Sequence, residues 1–215
     1  QLGRIAERDH QARALRLRRA NQIRTIQGSL AIEGNSLSVE QITAVLEGKP
    51  VIAPPKEVQE VKNALAVYEQ FDRYDPGSEA DLLDAHRLLM AGLVDEIGQY
   101  RSGGVGVMKD NRVVHMAPPA SQLSRLMGQL FDWLNSTEHP PLIASAVFHY
   151  EFEFIHPFAD GNGRMGRLWQ SLILAKWNPL FANLPVETLV HANQQGYYQA
   201  IAASTAVTDC APFVE

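Results

Sequence analysis

Cysteine is almost absent from this chain of 215 residues, because Cys210 stands alone and no intrachain disulfide can form. A single cysteine favours a reducing compartment, so we expect a cytoplasmic protein. Long hydrophobic runs are also missing, since no stretch approaches the roughly 18 apolar residues that a membrane helix needs. The chain opens on an arginine-dotted segment that lacks the apolar centre of a signal peptide. These absences argue against membrane-spanning and secreted proteins, and no membrane partner is expected.

Positive charge is in deficit as well. The chain has 19 Lys and Arg against 24 Asp and Glu, which gives a formal net charge of −5. General nucleic-acid binders are basic, so nucleic acid is not expected as a partner of this segment. Residues 1–27 are the exception, with seven arginines beside Glu7 and Asp9. Such a stretch can contact phosphates or a membrane surface, but a solvated helix face is the simpler interpretation.

The remaining composition is that of a globular protein, with 46% apolar and 20% charged residues. The length suits one large domain or two small ones. Metal-ligand spacing is absent from the histidines outside the motif described below. We interpret these histidines as structural or surface residues: His10, His86, His115, His139, His149 and His191.

Helical periodicity dominates the sequence. The first helix is predicted from residue 4 to Glu33, with Gly34 as its C-cap, and a capping box at Ser38–Gln41 starts a second, short helix. Further helices and one small hairpin are predicted over 56–74, 78–91, 105–116 (the hairpin), 121–135 and 189–205. The fold class is therefore mainly α with one β-hairpin.

Two regions are expected within this fold. Residues 1–50 form an N-terminal helical region, and residues 51–215 form a core domain that packs with it as one unit. The start at Gln1 and the helix-like ending suggest a piece of a longer protein, with a further C-terminal domain as one option.

The densest polar cluster runs from His156 to Arg167, between two strongly apolar segments. Gly161 and Gly163 can adopt positive φ, which lets backbone N–H groups converge on an anion. The helix expected to begin near Arg164 directs its N-terminus at the same place. Arg164 and Arg167 are three residues apart, so both guanidinium groups project from one helix face. This pattern predicts a site for nucleotide phosphates.

Two more side chains of this cluster suggest chemistry. Asp160 can hold Mg²⁺, an ion that usually takes one or two carboxylates together with phosphate oxygens. His156 is the natural proton acceptor near neutral pH. The cluster therefore predicts a general base beside the phosphate site.

The glycines also satisfy a second pattern. Gly161, Gly163 and Gly166 fit the G-x-G-x-x-G turn of dinucleotide-binding folds, and aromatic residues alternate before them as in a strand. No other β-α-β unit appears, and no strand ends in an acidic residue about 20 positions later. These facts disfavour that fold, although periodicity alone leaves residues 142–155 undecided between strand and helix.

Residues 156–167 also match, at every defining position, the pattern His-x-Phe-x-Asp/Glu-Gly-Asn-Gly-Arg-x-x-Arg of the Fic family. The chain resembles that family over most of its length. Gly98-x-Tyr100-Arg101 and the hairpin at 105–116 are similar to the segment before and within the family's flap, and Tyr197-Tyr198 resembles its adenine-side pair. The resemblance implies a Fic-type helical domain with a small β-hairpin flap.

The resemblance also implies a protein adenylyltransferase. Such enzymes move AMP from ATP to a Tyr, Thr or Ser hydroxyl of a target protein and release pyrophosphate. His156 would deprotonate that hydroxyl, and Asp160 would hold Mg²⁺ between the phosphates. The residues expected to bind ATP are Gly161, Asn162, Gly163, Arg164, Gly166, Arg167, Tyr197 and Tyr198. The target would dock on the flap by strand addition, at Val107, Val113, Val114 and His115.

A second motif resembles the family's inhibitory pattern Ser/Thr-x-x-x-Glu-Gly/Asn. It runs from Ser29 through Glu33 to Gly34, N-terminal to the core motif. The resemblance implies that Glu33 forms a salt bridge with Arg167 and leaves ATP in an unproductive pose. A coupling of roughly 1–3 kcal/mol would restrain activity about 5- to 150-fold.

Three functions are therefore compared. The first is an adenylyltransferase inhibited by its own Glu33, with ATP and a target protein, itself included, as partners. The second is a hydrolase that removes AMP from a target, with Glu33 orienting the water. The third is a nucleotide-sensing regulator without enzymatic activity. The sequence leaves open whether the chain forms a homo-oligomer.

Overall fold

The computed structural model describes residues 2–109 and 112–215, and their side chains over 15–106 and 116–215. It contains ten α-helices and two strands: α1 Leu2–Ile32, α2 Val39–Leu46, α3 Pro55–Glu69, α4 Glu79–Leu89, β1 Gly106–Lys109, β2 Arg112–Met116, α5 Leu123–Ser136, α6 Pro141–Ile155, α7 Asn162–Trp177, α8 Val186–Ala192, α9 Gln194–Val207 and α10 Ala211–Val214. The mainly α fold with one hairpin is confirmed.

Helices α6 and α7 form the centre of the fold. Phe148, Phe152 and Ile155 of α6 are buried at spacings of four and three residues, which is the period of a helix. This resolves the segment that periodicity left undecided, and the strand of a dinucleotide-binding turn is excluded there. Trp169 of α7 is fully buried, and its indole N–H donates to the carbonyl of Pro76 at 2.9 Å. Buried core residues therefore flank the loop between the two helices on both sides.

Helix α1 packs along this core and ends in a well-formed cap. Ile26 and Leu30 are buried at helical spacing against the rest of the core. At its C-terminus Gly34 has φ +90° and its N–H donates to Ala31, while the N–H of Asn35 donates to Leu30. This is the Schellman arrangement, which glycine permits because it has no Cβ. The predicted C-cap is therefore confirmed, and Glu33 stands at the very end of the helix.

The second predicted cap is present as well. Ser38 Oγ accepts the backbone N–H of Gln41, and the Gln41 side chain accepts the N–H of Ser38. These reciprocal bonds satisfy two donors at the start of α2. The proposed division of the chain at residue 50 stays a prediction, although α1 supplies residues to the same core as α7.

Two helices differ from their predicted bounds. The helix expected over 56–74 ends at Glu69 and gives way to a 3₁₀ turn over Phe71–Arg73. The tighter turn places Phe71 and Tyr74, three residues apart, both in the core. The helix expected over 189–205 is in fact two, because Asn193 adopts φ −122° and ψ 37° between α8 and α9. Asparagine has a low helix propensity, and the hydrophobic periodicity of the sequence does not indicate a break of this kind.

The hairpin of β1 and β2 is antiparallel, with Gly106 opposite Met116 and Val107 opposite His115. An irregularity in the pairing falls between Val107 and Met108. The backbone agrees with the predicted hairpin, but the side chains of the expected docking residues, Val107, Val113, Val114 and His115, lie outside the described side chains. In the described part of the chain, no helix combines the length and the apolar character needed to cross a bilayer.

The crossing of α1 and α8 generates a stability prediction. A Cβ added to Gly28 would lie 2.8 Å from the backbone nitrogen of Thr188 and 2.9 Å from the carbonyl carbon of Glu187. Backbone atoms cannot move aside, so Gly28→Ala is expected to lower the free energy of unfolding by about 1–3 kcal/mol. Urea denaturation followed by circular dichroism measures this change.

Gly128 is the matched control, because it lies within α5 and a Cβ there would meet nothing within 4 Å. Gly128→Ala is expected to raise the free energy of unfolding by up to about 1 kcal/mol, since alanine is the better helix former. A stabilising effect of both substitutions would contradict the close approach of α1 to α8.

Candidate active site

The loop between α6 and α7 carries the motif, and two left-handed residues shape it. His156 ends α6 with φ 51° and ψ 61°, and Gly161 precedes α7 with φ 84°. A histidine with positive φ is uncommon and is held there by its surroundings. A Cβ on Gly161 would lie 2.6 Å from the sulfur of Met90. The predicted positive φ is confirmed for Gly161 but is wrong for Gly163, which lies inside the first turn of α7.

Asn162 fixes the loop from inside. Its Oδ1 accepts the N–H of Phe158 at 2.9 Å, and its Nδ2 donates to the Phe158 carbonyl at 2.8 Å. The side chain is buried, and both of its polar atoms are engaged with the loop. Asn162 therefore holds the loop in place, and its expected part in binding ATP stays a prediction.

His86 of α4 supports the same loop. The sequence did not indicate this role, because His86 belongs to no recognisable motif. Its ring stacks on Phe158 with centroids 3.7 Å apart. The Gly98 N–H donates to Nδ1 at 3.0 Å, so the proton belongs on Nε2, which lies 3.1 Å from the Asp160 carbonyl. Burial lowers the pKa of His86 to about 4. The neutral ring thus positions the backbone of Asp160.

The orientation of His156 suits a general base. Its Nδ1 lies 3.4 Å from the Glu153 carbonyl at the end of α6. Placing the proton on Nδ1, where it can point at this carbonyl, leaves Nε2 as the basic nitrogen. This tautomer is the one that the expected general base requires.

Arg101 binds the loop from the other side. The side chain is buried, and its guanidinium donates to the carbonyls of His156 at 2.8 Å, Gly103 at 2.7 Å and Pro118 at 2.7 Å. Its backbone N–H donates to the Pro157 carbonyl at 2.9 Å. In the sequence Arg101 stood only as part of the segment before the flap. The sequence shows only an arginine beside a serine and two glycines. The hydrogen-bond partners of Arg101 could not be predicted from it, because they lie up to 55 positions away.

The predicted contact between Glu33 and Arg167 is present. Glu33 Oε1 accepts Arg167 Nη2 at 2.7 Å. Ser29 holds the same guanidinium, because its Oγ accepts from Nε at 3.2 Å and its carbonyl accepts from Nη2 at 3.1 Å. Burial by itself lowers the pKa of Arg167, but the Glu33 carboxylate opposes this and the net shift is upward. Arg167 is therefore charged and bound by the end of α1.

Gly163 makes room for this arrangement. A Cβ at Gly163 would lie 2.6 Å from Glu33 Oε1 and 3.0 Å from Arg167 Nη1. The carboxylate of Glu33 thus lies directly over the first turn of α7, where backbone N–H groups favour negative charge. Gly163 is needed for space, and a positive φ plays no part.

Arg164 points to a different set of partners. Its Nη1 lies 3.5 Å from Glu60 Oε1 of α3, and its Nη2 lies 3.2 Å from Asp160 Oδ1. Glu60 is buried and also accepts Asn35 Nδ2 at 2.8 Å. Among the described residues neither motif arginine forms an ion pair with Glu151 or Glu153. Glu60 could not be recognised from the sequence, because its helix is remote from the motif.

Asp160 fits a divalent cation as a single ligand. Its Oδ1 accepts the Gly161 N–H at 2.6 Å and binds Arg164, while the side chain is 48% exposed. The described residues contain no group of three or more His, Cys, Asp or Glu side chains that could hold a metal. One exposed carboxylate suits Mg²⁺ only when phosphate oxygens and water complete its shell. The residues present are therefore compatible with a metal that arrives with a nucleotide.

Glu153 is the unexpected acidic group of the site. Its Oε1 is buried without a hydrogen-bond partner among the described residues, and a Cβ on Gly166 would lie 2.7 Å from it. The pKa of Glu153 is raised to about 7, mainly by burial. Arg167 opposes this rise, and Glu33 adds to it. A carboxyl that titrates near neutral pH thus lies behind Arg167.

The two tyrosines of α9 have different surroundings. Tyr197 Oη lies 2.7 Å from His149 Nε2, and its ring packs on Phe213 with centroids 5.9 Å apart. Tyr198 is 39% exposed. Tyr197 therefore belongs to the packing between α6 and α10, and Tyr198 is the member of the pair that an incoming ring can reach.

A left-handed histidine, a helix N-terminus and two buried arginines, both paired with carboxylates, thus lie together in a helical domain. Residues 76–174 match the model of the Fic/DOC family. The chain is 57% identical to a Fic family protein from Desulfovibrio desulfuricans G20, with a TM-score of 0.91 over 99% of this chain and 66% of that one. A Fic domain containing signaling protein from Bacteroides thetaiotaomicron shares the fold, with a TM-score of 0.78 at 22% identity over 94% of this chain and 82% of that one. The chain belongs to the Fic/DOC family.

Curated relatives carry a more specific description. The chain is 30% identical over 219 residues to the protein adenylyltransferase fic-1 of Caenorhabditis elegans, which covers 95% of this chain and 41% of that protein. It is also 30% identical over 183 residues to the protein adenylyltransferase Fic of Nematostella vectensis, 80% of this chain and 40% of that protein. The chain thus spans about two fifths of the length of these relatives.

The buried carboxyl of Glu153 generates a pH prediction. Its pKa rises from an ordinary 4.5 to about 7 on folding, so between these values the folded protein binds more protons than the unfolded chain. Stability therefore falls as the pH rises through this window. Glu153→Gln is expected to match the wild type near pH 4.5 and to exceed its free energy of unfolding by about 1–3 kcal/mol above neutrality.

Urea denaturation at a series of pH values measures this difference. Comparing two proteins at each pH removes the contributions of His86 and His149, whose depressed pKa values act in the opposite direction. Glu138→Gln, at an exposed position, is the control and is expected to leave the pH profile unchanged. A difference between Glu153→Gln and wild type that stays constant with pH would contradict the raised pKa.

Proposed function

We propose that this chain is the catalytic part of a protein adenylyltransferase that is held inactive by its own Glu33. The observation that carries the proposal is the 2.7 Å bond between Glu33 and Arg167 above Gly163. The carboxylate occupies the place where a helix N-terminus and an arginine would otherwise receive a phosphate. The relatives described as protein adenylyltransferases support the same activity.

The transfer itself needs positioning and charge more than covalent chemistry. Nε2 of His156 accepts the proton of a Tyr, Thr or Ser hydroxyl of the target. The hydroxyl oxygen then forms a bond to the α-phosphorus of ATP, and the bond from that phosphorus to the β-phosphate oxygen breaks. Pyrophosphate leaves, and AMP stays on the target. The first turn of α7 and the two arginines stabilise the negative charge of the phosphates.

Each arginine has a separate part in this proposal. Arg164 is held by Glu60 and Asp160, so it reaches the phosphates from the α3 side. Arg167 reaches them from the α1 side once Glu33 withdraws. Because Ser29 contributes two bonds to Arg167, we expect the guanidinium to keep its orientation when Glu33 leaves. Asp160 would hold Mg²⁺, which neutralises phosphate charge when bound.

Inhibition follows from competition for Arg167. Glu33 carries one negative charge, and a triphosphate in the same place would meet it directly above Gly163. We expect the β- and γ-phosphates to bind poorly while Glu33 remains, so that the α-phosphorus is not presented to the hydroxyl. The flap of β1 and β2 offers backbone groups for an extended target segment, which would place the hydroxyl near His156.

A hydrolase that removes AMP from a modified target is the second candidate. Its supporting observation is that the Glu33 side chain is 32% exposed beside the phosphate site, where water can reach it. A carboxylate in that place can orient water toward a phosphorus atom. In this function Glu33 is required for activity, whereas in the first function its removal increases activity.

Substitution of Glu33 separates the two functions. Glu33→Gly is expected to increase the transfer of labelled AMP from ATP to protein about 5- to 150-fold, because a coupling of roughly 1–3 kcal/mol is released. Incorporation of label into the protein itself and into added lysate protein measures the increase. Glu33→Gly combined with His156→Ala is expected to abolish it.

Glu47→Gly is the matched control, since Glu47 is a carboxylate at the end of α2 that forms an ion pair with the exposed Lys49. It is expected to leave transfer at the wild-type level. Loss of AMP removal from a labelled target in Glu33→Gly, with no gain of transfer, would instead support the hydrolase. ATP binding without turnover in every variant would favour a nucleotide-sensing regulator.

A further inference from the structure

Arg101 is a buried cation without a carboxylate partner among the described residues. The residue is 2% exposed, and burial lowers the pKa of its guanidinium. Within the described part of the chain its side-chain bonds all go to backbone carbonyls: His156 at 2.8 Å, Gly103 at 2.7 Å, Pro118 at 2.7 Å and Ile155 at 3.4 Å. Burying a charge is costly unless its hydrogen bonds are satisfied, so this side chain invites an explanation beyond packing.

The four carbonyls belong to two different parts of the site. Ile155 and His156 form the end of α6, where the general base lies. Gly103 precedes β1, and Pro118 follows β2, so they are the two ends of the flap. One side chain thus joins the base to both ends of the hairpin. The backbone N–H of Arg101, bound to the Pro157 carbonyl at 2.9 Å, adds a further link to the motif loop.

A hairpin of two strands needs such a link. Two strands alone bury little surface and are marginally stable in water. The described backbone bonds at the base of this hairpin include Ala117 N–H to the Val105 carbonyl at 3.2 Å, which closes the hairpin on itself and does not join it to α6. Arginine suits the task because its planar guanidinium presents five donors in a fixed arrangement, whereas lysine offers three donors at one point.

We propose that Arg101 is a positioning residue that fixes the distance between the flap and His156, so that a hydroxyl docked on the flap meets the imidazole. This inference rests on the proposed adenylyl transfer. Among the described residues Arg101 forms no hydrogen bond or ion pair with Arg164, Arg167 or Asp160, so we expect binding of the nucleotide phosphates to be independent of it. Its loss therefore reduces the transfer step and spares the affinity for ATP.

The test uses the Glu33→Gly background, in which transfer is measurable. Arg101→Lys keeps the charge but cannot reach all four carbonyls, and it is expected to lower kcat for transfer about 10²-fold with an unchanged KM for ATP. Arg101→Gly leaves space for the missing group, and added guanidinium at a sub-denaturing concentration is expected to restore part of kcat in a saturable manner. Arg125→Lys is the matched control, because Arg125 is an exposed arginine bound to Gln122 and Gln129 away from the site.

Amide hydrogen exchange gives a readout that needs no activity. Arg101→Lys is expected to speed exchange at residues 102–106, 117–120 and 156–158, with α1 and α3 unaffected. Unchanged kcat and unchanged exchange would overturn the proposal. A general rise in exchange with a parallel rise in KM for ATP, or a failure of guanidinium to rescue, would mark Arg101 as structural only and overturn it too.

The two proposals fail in different ways. If Glu33→Gly transfers no AMP with Arg101 intact, the proposed function is at fault, and exchange still decides whether Arg101 joins the flap to the base. If Glu33→Gly is active and the Arg101 variants behave like Arg125→Lys, the positioning role alone is wrong.

Discussion

The buried guanidinium of Arg167 is the constraint on which the rest of the site depends. A charge in the interior must be paired and hydrogen-bonded, and two of its partners here, Ser29 and Glu33, come from α1. The helix must therefore lie close to its neighbours, and two glycines leave room for its close contacts. Gly163 leaves space for the carboxylate, and Gly28 lets α1 rest on the backbone of α8. The contacts that hold α1 in place are therefore the same contacts that the proposed inhibition uses.

Ser29 and Glu33 bind Arg167 in different ways. Ser29 binds it from within the helix, through a carbonyl and a hydroxyl that are both buried. Glu33 binds it from the position directly after the last residue of the helix, with its side chain partly exposed. In the proposed function, the same helix would both orient the arginine for phosphate and block it, and the blocking carboxylate could move without the orienting serine.

The sequence allowed some of this to be predicted. The helical period, the cap at Gly34 and the capping box at Ser38 are local, so they could be read directly and they are present. The motif placed His156 and its arginines on one loop and helix. The same local rules gave a wrong conformation for Gly163, because a glycine can be selected for space as well as for φ.

What escaped prediction is non-local. Glu60 is 104 positions from Arg164, and His86 is 74 positions from Asp160, so neither contact leaves a spacing to recognise. Arg101 satisfies carbonyls, which every residue has, and no residue type identifies such partners. In each case the deciding partner became visible only after the chain was folded.

The cap at the end of α1 has a consequence for how firmly Glu33 can hold. Backbone carbonyls at a helix C-terminus carry partial negative charge, and a carboxylate there is disfavoured by about 0.3–1 kcal/mol. Glu33 occupies that position, after a helix of 31 residues. Its own helix therefore repels the group that Arg167 attracts. The Glu33–Arg167 bond is therefore weakened by the partial negative charge at the end of the helix. A ligand with more negative charge, and with no helix C-terminus beside it, would compete favourably with Glu33 for Arg167.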